Sequence, residues 1–131
     1  AAVLSVKLKY LDEWTKRRRK LAALYDSLLD PKVVRLPKEP EYSTGVYHLY
    51  VVRHPERDRL QKFLQENGVS TLIHYPIPIH LQQAYLPLKL APGSYPIAEK
   101  YAGMILSLPI YPELSEADVE VVAGLINGAS F

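Results

Sequence analysis

The chain has 131 residues, a formal net charge of +2, 48% hydrophobic residues and no cysteine. That length suits one domain, and the small net charge leaves no footprint for a polyanionic partner such as nucleic acid. Without thiols, disulfide staples and thiolate chemistry are excluded, as expected of a cytoplasmic protein. No apolar run approaches the roughly 20 residues of a membrane span. The opening Ala1-Ala2-Val3-Leu4-Ser5 lacks the basic head and cleavage pattern of a signal peptide.

Taken in chain order, residues 1–29 contain neither Gly nor Pro and read as helix, with a bend over Leu8–Tyr10. Leu11, Trp14, Leu21, Tyr25 and Leu28 recur at helical spacings and define its apolar stripe. A helix that begins without a cap suggests that further residues precede Ala1. Asp30-Pro31 ends the helix, because the residue before a proline is driven out of the helical region. A Pro-rich connector with a short strand at Val33–Arg35 leads to Gly45–Arg53, the best strand in the chain. Val46, His48, Tyr50 and Val52 share one of its faces, and Tyr47, Leu49 and Val51 the other. Apolar residues on both faces predict a central position.

Pro55 is expected at the first position of the next helix. Leu60, Phe63 and Leu64 form the buried stripe of that helix, and Gly68 its left-handed cap. Val69–Ile73 reads as a second strand and His80–Tyr85 as a short helix. A helix capped by Ser94 then carries Ile97, Tyr101, Met104 and Ile105 on one side, before a short edge strand over Ser107–Ile110. Ser115-x-x-Asp118 resembles a capping box ahead of Val119, Val122 and Ile126. The prediction is one α+β domain over residues 1–131. It is a small sandwich of a three- or four-stranded, mostly antiparallel sheet with helices packed on one face.

Chemistry concentrates in His74-Tyr75-Pro76-Ile77-Pro78-Ile79-His80, where two prolines hold two imidazoles and a phenol on a stiff segment after a strand. From residue types alone, His74 and Tyr75 equally satisfy backbone groups around a proline-rich turn. A zinc site built from His74 and His80 with His48 or His54 fits no ligand spacing and lacks an acid within the segment. No Gly-x-Ser-x-Gly elbow supports a hydrolase, and the six isolated Gly form no phosphate loop. His48 reads as a hydrogen-bonded core or interface residue, and the Lys16–Lys20 run as a solvated helix surface.

The ordered blocks "LDEWTKRRRKLAALYDSLL", "VYHLYVVR", "RDRLQKFLQENGV", "HYPIPIHLQQAY" and "AEKYAGMILSLPIYPELSEADVEVV" make the chain resemble the C-terminal small domain of the DegT/DnrJ/StrS sugar aminotransferases. The resemblance runs from Ala1 to about Ile126. It implies a fold-type-I enzyme that uses pyridoxal phosphate and works as a homodimer. Such an enzyme moves an amino group, typically from glutamate, to a keto carbon of a nucleotide-linked sugar. By the same resemblance, the Schiff-base lysine and the cofactor pocket belong to a large domain of the same chain, ahead of Ala1. His74 and Tyr75 then face the substrate. No residue of this chain is expected to be catalytic, to bind metal, or to hold pyridoxal phosphate tightly by itself. The competing reading is a stand-alone binding or regulatory module derived from the same domain.

Overall fold

The computed structural model describes residues 1–129. Helix α1 (Ala2–Leu8) and helix α2 (Leu11–Leu28) are separated by the anticipated bend at Lys9-Tyr10. The buried face of α2 is Leu21, Ala22 and Tyr25, continued by Leu29. The expected stripe is only partly buried, because Leu11 and Leu28 are exposed and α1 buries no residue. The end of α2 is capped from across the fold. Asn127 Nδ2 donates to Leu28 O at 2.8 Å, and Asp30 N donates to Asn127 Oδ1 at 2.9 Å. The first bond satisfies a carbonyl that the helix terminus leaves open, and the second ties the chain just beyond it.

Strand β1 (Tyr50–Arg53) and strand β2 (Ile105–Leu108) pair antiparallel, with Tyr50 opposite Leu108, Val51 opposite Ser107, Val52 opposite Leu106 and Arg53 opposite Ile105. One further residue pair flanks the ladder on each side, Arg35 with Arg53 and Leu72 with Ser107, both antiparallel. The α+β class therefore holds, with two regular strands where three or four were anticipated and single bridges in the outer places.

The differences have local causes. The expected strand over Gly45–Arg53 begins only at Tyr50. Tyr47 sits at φ 48°, and the Glu39 carboxylate accepts from Gly45 N and from the Tyr47 hydroxyl, which folds residues 39–47 into a loop. His48 is consequently exposed and outside the strand, not in a core or an interface within the chain. The edge strand expected at Ser107–Ile110 lies instead at Ile105–Leu108. It is flanked on both sides and stops before Pro109, which has no N–H to give a ladder.

Helix α3 (Arg57–Glu66) starts two residues after Pro55, and its neighbouring turn is tied by Glu56 N donating to His54 Nδ1 at 3.0 Å. Its C-terminus follows expectation. Gly68 has φ 79°, Val69 N donates to Leu64 O at 2.8 Å, and Gly68 N donates to Gln65 O at 3.1 Å, which together form a Schellman cap. The segment expected as a helix at His80–Tyr85 forms two 3₁₀ turns, Ile79–Leu81 and Gln83–Leu88. Helix α4 (Pro96–Ala102) has proline in its first turn. Ser94 does not cap it, and Met104 and Ile105 lie beyond its end. Helix α5 (Glu116–Gly128) opens as anticipated, with Ser115 Oγ accepting from Asp118 N at 3.1 Å and donating to Asp118 Oδ2 at 2.6 Å.

These elements divide the sheet into two unlike faces. Tyr50, Val52, Leu106 and Leu108 point into a core with Leu21 and Tyr25 of α2, Leu60 and Leu64 of α3, and Val119, Val122 and Ile126 of α5. Burying side chains of this size is worth about 1.5–3 kcal/mol each before the entropy of ordering is counted. The opposite face carries Val51, Arg53, Ile105 and Ser107, and the three core helices leave it uncovered. The Lys16–Lys20 run lies on the surface of α2, where Arg19 Nε donates to Gly45 O at 2.7 Å and Lys20 pairs with Glu116. Among the described residues no helix is long and apolar enough to cross a membrane.

Candidate functional site

The uncovered sheet face is roofed by the proline-held segment 74–82, the turns that follow it, and α4. His74 Nδ1 lies 2.8 Å from Ser107 Oγ, so the imidazole is half-buried and tied to β2. Ser107 is itself fixed, because its backbone exchanges hydrogen bonds with Leu72. The next residue does the opposite. Tyr75 has φ 65°, a left-handed conformation that costs a side-chain-bearing residue energy, and the residue is 78% exposed. A backbone held in this way, with the phenol projected outward and the preceding imidazole anchored, is a local strain that the surrounding structure must support.

Tyr75 stands at a cavity of about 790 Å³, walled mainly by Ile77, Ile79, Leu88, Tyr95 and Tyr101. Its lining is largely apolar with a few phenols, the mix typical of small-molecule sites. The two sequence-predicted residues thus have separate placements: Tyr75 lines the cavity, while His74 secures the loop to the sheet.

His80 holds the segment from its other end. It is 7% exposed, its Nε2 is 3.0 Å from Glu99 Oε1, and its ring meets the Tyr95 ring edge-on at 4.8 Å. The same carboxylate accepts from Gly93 N at 2.9 and 2.8 Å and from Tyr95 N at 3.1 Å. One acidic side chain therefore ties the 3₁₀ turn at Ile79–Leu81, the turn at Gly93 and the start of α4 together. Only the helical spacing of Glu99 after Tyr95 hinted at this, and the His80 partner lies 19 residues away.

The Gly93 and Tyr95 amides, helped by His80, hold the Glu99 carboxyl below its ordinary value of 4.5. A depressed carboxyl stabilises the fold above its unfolded value, and that contribution is lost as pH falls below about 4.5 through the lower folded value. Acid titration should therefore move the Gly93 and Tyr95 amide resonances together, with a midpoint below 4.5. A midpoint at or above that value would contradict the clamp.

Four tyrosines of the cavity and its rim, Tyr75, Tyr85, Tyr95 and Tyr101, come from successive segments of residues 75–101. Tyr101 also holds Arg53 in place, with the guanidinium carbon 4.5 Å from the ring centroid. No lysine lines the cavity, and all nine lysines are exposed.

Comparison with known proteins bears on this arrangement. The family model described as the DegT/DnrJ/EryC1/StrS aminotransferase family matches residues 1–127. The erythromycin biosynthesis sensory transduction protein EryC1 of Saccharopolyspora erythraea is 50% identical over 98% of the chain and 36% of its own length. The dTDP-3-amino-3,6-dideoxy-alpha-D-galactopyranose transaminase of Aneurinibacillus thermoaerophilus is 42% identical over 97% of the chain and 34% of its length. Among solved structures, S. venezuelae DesV in complex with a ketimine intermediate superposes with a TM-score of 0.91 at 40% identity, covering 96% of this chain and 34% of that one. The chain spans about a third of the length of the curated relatives it matches. With the match running through nearly every element described above, the chain belongs to the DegT/DnrJ/EryC1/StrS aminotransferase family.

Proposed function

We propose that this chain serves as the C-terminal small domain of a pyridoxal-phosphate-dependent sugar aminotransferase. The whole enzyme would transfer an amino group from an amino acid such as glutamate to a keto carbon of a nucleotide-linked sugar, as a homodimer. Transaminase relatives with dTDP-sugar names support the reaction class. The observation that carries this chain's share of the work is the strained, outward Tyr75 beside the anchored His74 at the mouth of the cavity. In this reading the loop forms the substrate-side wall. Pro76 and Pro78 hold it ready, so that little ordering entropy is lost when sugar binds.

The described residues do not by themselves fit pyridoxal phosphate. Schiff-base chemistry needs an amine that is neutral and desolvated beside the cofactor, and every lysine of this chain is exposed to water. The lysine and the phosphate-binding groups would then come from a preceding large domain. Incubated alone with pyridoxal phosphate, the chain should give no aldimine absorbance that borohydride can trap. A trapped, site-specific adduct would overturn this part of the proposal.

In the full-length protein, Tyr75→Phe and His74→Ala should raise the sugar KM or lower turnover by about tenfold, in keeping with the loss of a positioned hydrogen bond of about 1.4 kcal/mol. Unchanged kinetics in both variants would leave the loop a purely structural feature. The second reading is a stand-alone binding or regulatory module without catalysis, and the Saccharopolyspora relative's name, a sensory transduction protein, is in keeping with its regulatory part. Full-length protein with no transamination of any keto sugar nucleotide would select it.

A further inference from the structure

The bond between His74 and Ser107 fixes more than the position of the loop. Ser107 is 6% exposed, its N donates to Leu72 O at 2.8 Å, and its O accepts from Leu72 N at 3.2 Å. On its other side it stands opposite Val51 in the ladder with β1. Its hydroxyl therefore sits on rigid backbone. It has one partner among the described residues, His74 Nδ1 at 2.8 Å.

A hydroxyl has one proton to give, and a neutral imidazole carries one N–H and one bare nitrogen. Two arrangements produce the same contact. If Nδ1 carries the proton and donates, the Ser107 hydroxyl proton finds no acceptor, and a buried donor without a partner gives up its hydration for nothing. If the hydroxyl donates to a bare Nδ1, both groups are satisfied. This second arrangement places the ring's own proton on Nε2, because the bond made at one nitrogen decides the state of the other. The buried side-chain atoms left without a partner among the described residues are Arg18 Nε and Thr71 Oγ1. His74 Nε2 also lacks a partner there and is not one of these buried atoms, so it is open to solvent.

We infer that Ser107 is a positioning residue that locks His74 in the Nε2–H tautomer and makes it a hydrogen-bond donor to a bound ligand. The ligand atom facing it is then an oxygen that accepts, such as a carbonyl or hydroxyl oxygen. An ammonium, which has no lone pair, does not fit there. The tautomer follows from the Ser107 geometry alone, whereas the ligand contact rests on the functional proposal above.

The lock is tested on the 131-residue chain with isotope-labelled imidazoles, in buffer of about pH 8.5, above the titration range of an ordinary histidine. Long-range proton–nitrogen NMR tells a bare ring nitrogen from a protonated one. His48 is exposed and serves as the reference in the same spectrum. His74 should have Nδ1 bare and Nε2 protonated to a greater extent than His48, and Ser107→Ala should return it to the His48 balance. A protonated Nδ1, or a native His74 that matches His48, would overturn the lock. The native spectrum decides by itself if Ser107→Ala fails to fold.

In the full-length protein, Ser107→Ala should raise the KM for the sugar nucleotide about threefold with turnover nearly unchanged, as expected when binding is lost equally in ground and transition states. Ser107→Thr, which keeps a hydroxyl, should restore it. Native kinetics in folded Ser107→Ala beside an impaired His74→Ala would remove Ser107 from the site and leave the substrate wall standing. Native kinetics in both His74→Ala and Tyr75→Phe, beside the stated tautomer, would remove the wall and the ligand contact and leave the lock.

Discussion

Replacing Tyr50 with alanine should destabilise the chain by about 3–5 kcal/mol, the cost of emptying a large aromatic site in a packed core. Tyr50 is fully buried, stacks on Tyr25 at 4.9 Å between centroids and on Tyr47 at 6.3 Å, and donates its hydroxyl to Asp26 Oδ1 at 2.6 Å. It thereby joins β1 to α2 across the whole core. With a urea dependence of about 2 kcal/mol per molar, the unfolding midpoint should fall by roughly 2 M.

Tyr50→Phe isolates the hydroxyl. The cost should be nearer about 1 kcal/mol, because Asp26 is exposed and regains water when its partner is lost. The alkaline limb then supplies a second readout. Burial, reinforced by Asp26, pushes the Tyr50 phenol well above its usual 10, and burial does the same to Tyr25. Tyr47 is pushed up to about 12, by desolvation first and then by its bond to Glu39. A group raised on folding stabilises fully below its unfolded value and loses that contribution as pH rises towards the folded one. The native chain should therefore lose stability above about pH 10, and Tyr50→Phe should lose less over the same range. Equal alkaline slopes for the two proteins would show that Tyr50 is not the group responsible.

The second large effect is expected at Arg57, where Arg57→Met should cost about 3 kcal/mol. Its guanidinium is almost wholly buried, with Nη1 donating to Ala102 O at 3.2 Å and Ile105 O at 2.9 Å, and Nε donating to Asp58 Oδ1 at 2.6 Å. Ile105 begins β2 on the side where the neighbouring chain pairs only at Leu72, so the arginine supplies a donor that a strand would otherwise provide. Methionine keeps much of the packing of the stem but leaves two carbonyls without that donor, each costing roughly 1–3 kcal/mol if water cannot replace it. Arg57→Lys should recover part of the loss, since an ammonium lacks the fork that reaches both carbonyls at once. A urea midpoint for Arg57→Met within about 0.2 M of the native one would refute this role.

Arg57 also shows where sequence reading lost information. A cation in the first turn of a helix opposes the helix dipole, which favours acids there. That mismatch was a legible sign that the side chain serves something outside its own helix. What it serves, the junction of α4 with β2 some 45 residues on, had no local trace. The caps were different. Gly68 and Ser115 were readable because their hydrogen bonds close within a few residues. The strand over Gly45–Arg53 was overextended because propensity at Val46 and Tyr47 was outweighed by the carboxylate of Glu39, which recruits Gly45 and Tyr47 into a loop.

The sequence by itself determined the α+β class, the bend before α2, the caps at Gly68 and Ser115, and the stiffness of the His74–His80 segment. All of these follow from torsional preferences and hydrogen bonds between near neighbours. Tertiary structure alone decided what that segment touches: His74 on Ser107, His80 on Glu99, Tyr75 forced to positive φ, and Arg35 brought opposite Arg53. Those placements depend on strand register and on which face of the sheet the core helices leave uncovered. Register is set by the summed fit of many distant side chains, so no window of sequence contains it.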